Sequence, residues 1–333
     1  MKRRLFMVLM AGLALALALV PGSAVAKVDG KFAVALMLPG SLNDGSWNAV
    51  AYKAGRQLEA TLGIKVAIQE QIKDSDAERV MRGYAAQGYD LIIGHTFNWL
   101  DQLYKVSKQY PKTAFLESTG YKTRKNFGWA DDPMYEGYYL CGIIAGMLTK
   151  TNKIGGVGGF EIPTTTASIE AFRLGAQSVN PKVKLLATYA GSWTDAQKGR
   201  EAAIAQIEAG ADFVMGAGNG LTIGVIRGVA EKGARTFGYV GNMSNIAPKV
   251  VLTSVIWDLY SLFKEVTLQV MHGTFKGQRF SLGMARGGVL LAPYGPGVPD
   301  NVKRKVDEVR RKIISGEFKV PFVSKPTVGG KKK

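Results

Sequence analysis

From Lys31 onward the chain alternates short runs rich in Val, Ile and Phe with longer stretches in which apolar residues recur every three to four positions. Runs of the first kind fit strands buried on both faces and stretches of the second fit amphipathic helices, so the pattern predicts an α/β fold of parallel strands covered by helices. The first strand reads over 32–38 and stops at Pro39-Gly40-Ser41; a helix with Val50, Ala54, Leu58 and Leu62 on one face follows. Further strands are predicted at 65–69, 91–94, 114–117, 154–157, 185–189, 213–216 and 236–240.

One stretch repeats. Gly88-Tyr89-Asp90-Leu91-Ile92-Ile93-Gly94 returns as Gly210-Ala211-Asp212-Phe213-Val214-Met215-Gly216. Such a spelling can arise wherever a helix turns into a buried strand. Here each copy also follows a helix with a similar start signal, Ser75-Asp76-Ala77 and Thr194-Asp195-Ala196, where Ser, Thr or Asp can cap free N–H groups. Two copies of one βα unit suggest two lobes of the same doubly wound design. Lobe one is expected over 27–130 plus about 255–285 and lobe two over 131–254 plus about 286–325, with residues 326–333 a basic tail. Crossings near 127–131 and 240–255 would form a multi-strand hinge.

The N-terminal segment sets the compartment. Lys2, Arg3 and Arg4 precede an uncharged run over 5–20, then Pro21, Gly22, Ser23 and the small-x-small site Ala24-Val25-Ala26. That order is expected of a signal peptide, residues 1–26, cleaved near Ala26. About 300 residues remain, a length that usually makes two domains. Cys141 is the sole cysteine, which excludes an intramolecular disulfide, and its apolar neighbours fit an inert buried thiol. No cysteine stands near the cleavage site to carry a lipid, so a soluble periplasmic protein is expected. The net charge of +17 is dispersed along helices, apart from Lys331-Lys332-Lys333. No basic helix is interleaved with aromatics, so nucleic acid is not an expected partner.

In open α/β sheets ligands sit beyond the carboxyl ends of the strands. The first such loop holds Asn43, Asp44, Trp47 and Asn48, a carboxylate, two amides and an indole at a helix start. A helix cap and a hydrophobic cover would account for the same residues. As a binding platform they offer a ring face and polar groups beside it for a flat ligand. The loop after the third strand brings Phe97 and Asn98, and the second half offers Trp193 and Asp195. Glu117, Gly218-Asn219-Gly220, Asn242 and Trp257 are further post-strand candidates, each with a turn, cap or packing alternative. An aromatic from each lobe suits clamping a planar solute, whereas a sugar would want more carboxylates and Arg.

Catalysis finds little support. His95 and His272 are the only histidines, G-x-S-x-G is absent, and no Cys/His cluster is spaced for a metal. The glycines over 155–159 fit neither a dinucleotide fingerprint nor a P-loop, and Asp131-Asp132 beside Pro133 read as a turn. No cofactor is expected.

These stretches also resemble the basic membrane protein family of ABC-transporter substrate-binding proteins. Asn43-Asp44-Gly45-Ser46-Trp47-Asn48 is similar to its Asp-x-Ser-aromatic-Asn loop, and Leu148-Thr149-Lys150-Thr151-Asn152-Lys153-Ile154-Gly155 to its Met-Thr-Lys segment. Gly159-Phe160-Glu161-Ile162-Pro163, Ala171-Phe172-Arg173-Leu174-Gly175-Ala176 and Ser192-Trp193-Thr194-Asp195-Ala196 follow in family order. The resemblance implies a type I periplasmic-binding-protein fold and a purine nucleoside or nucleobase as ligand. It places Trp47 as the stacking ring and Asn43, Asp44 and Asn48 near the base edge. Members that grip a ribose carry an Asp where this chain has Gly241-Asn242-Met243, which leaves a free nucleobase at least as well supported. The expected protein is a monomeric solute-binding component that delivers its ligand to ABC permease subunits. A sugar ligand, or service as the sensing input of a membrane receptor, is the alternative.

Overall fold

The computed structural model describes residues 31–327. The expected signal peptide, residues 1–26, and residues 328–333 of the basic tail lie outside the described residues.

Strands β1 (Ala33–Met37), β2 (Lys65–Gln69), β3 (Leu91–Gly94), β4 (Ala114–Ser118) and β5 (Phe127–Ala130) join β11 (Arg279–Phe280) in one sheet, ordered β11-β5-β4-β3-β1-β2 and parallel throughout. Strands β6 (Lys153–Gly158), β7 (Lys184–Tyr189) and β8 (Phe213–Ala217) form a second parallel group, ordered β7-β6-β8. It continues into β9 (Thr236–Gly238), β10 (Val251–Trp257) and β12 (Val289–Leu291) through the Phe213–Arg235 bridge and the Val214 amide on the Arg235 carbonyl. β9 and β10 run parallel, and only β12 is antiparallel to its neighbour.

The two sheets therefore share one topology. β2-β1-β3-β4-β5 matches β7-β6-β8-β9-β10, the flavodoxin-like order. The repeated glycine-flanked stretch supplies β3 in one and β8 in the other. Helix α2 (Asp74–Ala86) precedes the first copy and α6 (Ala196–Glu208) the second.

Both faces of each sheet are covered, which explains why the strands read as unbroken apolar runs. In β1, Val34 and Leu36 join the large core, while Ala33, Ala35 and Met37 pack on the other face with Met81, Trp99 and Leu103. In the second sheet Val157 and Val214 meet Leu221, Val225 and Val229 of α7 (Asn219–Lys232). Helix α4 (Met134–Leu148), which follows β5, packs on α5 (Pro163–Val179) and β10, whereas α8 (Leu259–Met271), which follows β10, returns to α1 (Trp47–Leu62) on the first sheet. The chain thus passes between the sheets at 131–133, at Asp258 and again over 281–288.

Two local expectations need correction. Residues 251–255, read as the end of a crossing, belong to a full seven-residue strand over 251–257 in the second sheet, buried on both faces except at Ile256, and 127–130, read as the other crossing, form β5 of the first sheet. Helix α2 is not capped by Ser75 or Asp76: it starts at Asp74 after extended Lys73, with no side-chain cap bond. The Asp74 carboxylate is taken instead by the Trp99 indole and the Asn98 amide, at 2.7 and 3.1 Å. Asp195 does cap α6, accepting from the Lys198 amide at 3.0 Å. Cys141 is free and buried in α4, and burial pushes its thiol pKa up. Among the described residues no helix is long and apolar enough to cross a membrane.

Candidate ligand-binding cleft

A cleft of about 490 Å³ opens between the carboxyl ends of the two sheets. Its lining follows from the topology: Trp47 and Gly40 come after β1, Phe97 and Asn98 after β3, Phe160 and Ile162 after β6, and Asn219 after β8. These four loops flank the two points where strand order reverses, the place where open α/β sheets take ligands.

Asp44 builds the first wall. Its carboxylate accepts from the Ser46, Asn48 and Ala49 amides at 2.9 to 3.0 Å and from the Asn48 side chain at 2.7 Å. Asn48 Oδ1 in turn accepts from the Gly40 amide at 3.3 Å, and a Cβ on Gly40 would stand 2.5 Å from Asn48 Nδ2. Capping of this kind is worth about 1 kcal/mol. Asp44 and Asn48 thus fix the start of α1, and neither lines the cleft.

What they hold in place is Trp47. Its indole N–H donates to the His95 carbonyl at 2.8 Å, and its ring stacks on His95 at 4.4 Å and 18°. The Trp47 carbonyl can only accept, so His95 Nε2, 3.1 Å away, carries the ring proton, and Nδ1 accepts from Ser118 Oγ at 2.8 Å. Burial lowers the His95 pKa to about 3, against smaller opposing effects of the Trp47 carbonyl and Asp44, so the ring stays neutral. The Trp47 N–H is spent inside the protein, and its exposed ring surface is what it offers the cleft.

The other rings come from both sides. Phe97 lies 6.3 Å from Tyr121, Trp193 packs on Phe160 at 5.1 Å, and Tyr239 runs nearly parallel to Trp47 at 6.4 Å. Tyr239 is followed by Val240 at φ 66, and Thr119, at the same place after β4, has φ 65. Left-handed backbone is costly for β-branched residues and clusters where a chain is forced to present a side chain.

Of the residues singled out in the sequence, Trp47, Phe97, Asn98, Trp193 and Asn219 line the cleft. Asn43 is exposed beside it, and Asp195 is occupied as the α6 cap. Asn242 is exposed and accepts from the Ser244 amide in a turn. Trp257 is fully buried, 5.4 Å behind Trp47. Glu117 is fully buried near Gly94, outside the lining, with its carboxyl pKa raised by burial.

Several lining residues escaped the sequence reading. Asp132 had been explained as a turn beside Pro133, yet it is buried and faces the cleft; burial first, then the Asp131 charge, raise its pKa. Asp131 itself is held by Arg279 and by Ser281 at 3.0 Å. Tyr239 follows β9, so the post-strand rule that found Trp47 applies to it as well. Asp74 had no such signal, because it reaches the cleft from the start of α2. Among the described residues no group of His, Cys, Asp and Glu could hold a metal ion.

Two sheets of matched strand order with a cleft between their carboxyl ends define the two-lobed, type I periplasmic-binding-protein architecture. The family described as "ABC transporter substrate-binding protein PnrA-like" matches residues 31–323, and the chain belongs to this family, Bmp. A Haloferax volcanii protein named for glucose binding by an ABC transporter is 37% identical over 252 residues, which cover 75% of this chain and 64% of that protein. The match therefore spans a little under two thirds of that relative. The purine-binding protein of Brucella abortus is 32% identical over 300 residues, 89% of this chain and 85% of its own. A solved ABC-transporter solute-binding protein from Conexibacter woesei superposes with a TM-score of 0.70 at 28% identity, covering 87% of this chain and 99% of that one.

Proposed function

We propose that this substrate-binding protein captures a purine-like nucleobase or nucleoside between its two lobes in the periplasm and delivers it to an ABC permease. The observation that carries the reading is the pairing of ring surfaces across one cleft, Trp47 and Phe97 on one side and Trp193 and Phe160 on the other. A flat heteroaromatic solute suits such walls, since stacking adds about 0.5 to 1.5 kcal/mol beyond the area buried. The purine-binding relative in Brucella abortus supports the same reading. The closing bodies are the two sheets with their helices, and the crossings at 131–133, Asp258 and 281–288 absorb the hinge motion.

A hexose is the second reading, favoured by the Haloferax volcanii relative and by the carboxylates of Asp74 and Asp132 in the lining. Thermal-shift and calorimetric titration against adenine, guanine, adenosine, guanosine, glucose and ribose separates the two. A purine should bind, and Trp193→Ala should weaken it by about tenfold or more, as for loss of a stacked ring with its buried area. Trp193 suits this test better than Trp47, whose removal would also undo the His95 contacts. Binding of glucose with no response to any purine would refute the proposal.

A further inference from the structure

The polar groups of the cleft are unevenly satisfied. On the first lobe both Asp74 oxygens are engaged, and Thr96 Oγ1 accepts from the Asn98 amide. By contrast, Asp132 Oδ1 in the passage between the sheets and Asn219 Oδ1 on the second sheet have no hydrogen-bond partner, although their residues are only 7% and 9% exposed. A buried polar atom left unpaired is costly, and folded proteins tolerate few of them. Both oxygens lack the same thing, a donor.

They also share a corner. Asn219 opens α7 directly after β8, and Tyr239 follows β9. The Tyr138 hydroxyl reaches the Gly216 and Gly238 carbonyls at 3.1 and 3.3 Å, tying the ends of both strands to α4. Asp132 sits in the turn just ahead of that helix and lines the same cleft as Tyr239 and Asn219. The corner lies on the lining beside Trp193.

Resting on the purine reading above, we propose that Asp132 and Asn219 recognise the ring edge and select purines that present N–H donors, the amino-substituted and lactam rings. The first lobe and Trp193 then hold the ring faces, while this corner reads the edge. A ring with no N–H donor on its six-membered edge would stack equally well and leave the acceptors facing that edge unpaired, and sites built around hydrogen bonds reject such analogues far more strongly than apolar pockets reject a missing methylene. The cost carried by the two oxygens before binding is consistent with a site shaped for its ligand at some expense of stability.

Calorimetry on the wild-type protein tests this with adenine, guanine, unsubstituted purine, N6,N6-dimethyladenine and glucose. Unsubstituted purine lacks the donors of the six-membered edge without added bulk, so it controls for the size of the dimethyl group. Adenine or guanine should bind about tenfold or more tightly than both analogues, whose only N–H is on the imidazole ring, the ratio expected of a hydrogen bond to a charged or buried acceptor. In Asp132→Asn and Asn219→Leu that preference should shrink, and the thermal midpoint of Asn219→Leu without added ligand should not fall, because its amide oxygen has no partner to lose. Equal binding of all four purines overturns the edge assignment and leaves the purine reading standing. Binding of glucose alone overturns both.

Discussion

A single histidine shows how Trp47 is fixed in the cleft wall. His95 is buried, neutral, stacked beneath Trp47 and bonded to it in both directions. Its pKa is lowered from the ordinary 6.5 to about 3, so the unfolded chain binds a proton between those values that the folded protein refuses. Stability from this group is therefore full above pH 6.5 and declines as pH falls toward 3, by up to about 1.4 kcal/mol per pH unit. Glu117 and Asp132 act in the opposite sense, since carboxyls with raised pKa values favour the folded state as pH falls toward 4.5. Comparing wild type with His95→Gln by denaturant titration at several pH values isolates the histidine. The wild type should lose more stability than the variant between pH 6.5 and 4.5; parallel profiles would show that His95 titrates in the folded protein as in the unfolded one.

At this scale the tryptophans, Phe97 and the amides Asn98 and Asn219 are legible, whereas the carboxylates of the lining are not. Trp47 and Trp193 stand out because a large ring after a strand has few other uses. Asp44 and Asp132 have the same residue type and both sit near helix starts, yet the first caps a helix and the second faces the cleft. Sequence could not separate them, because the difference is whether backbone amides or the cleft lies within reach of the carboxylate.

Among elements, the closest packing joins α4 to α5 and α6 to α7. A Cβ on Gly175 would stand 1.9 Å from the Tyr139 carbonyl oxygen, and one on Gly224 would stand 1.8 Å from that of Ala196. Both contacts are to backbone, so the helices must separate to admit a methyl group. Gly175→Ala should cost at least 1–3 kcal/mol, the usual range for overpacking, seen as a lower midpoint in urea. A change within about 0.5 kcal/mol would mean the helix pair is looser than described. Eight predicted strands fell close to their observed places, because two-sided burial writes a continuous apolar run. β10 is absorbed into a crossing because Thr253 and Ser254 interrupt its apolar run and the chain leaves it for the other lobe at Asp258. The start of α2 was misplaced because Ser75 and Asp76 look like caps, while the flanking Asp74 is engaged by Trp99 across the cleft wall.

At the scale of the molecule, the repeated stretch proved the most informative signal: β3 and β8, which carry it, hold equivalent places in two sheets of the same order. Equivalent topology puts equivalent loops at each switch point, so rings after β1 and β3 face rings and amides after β6 and β8 across one opening. The chain's passages between the sheets leave that opening able to close by rotation about short segments. The most direct measurement is a crystal structure of the protein grown with the best-binding purine. The ring should lie within about 4.5 Å of an aromatic face from each lobe, Trp47 or Phe97 on one side and Trp193 or Phe160 on the other. A ligand held by one lobe alone, or seated away from these rings, would contradict the account.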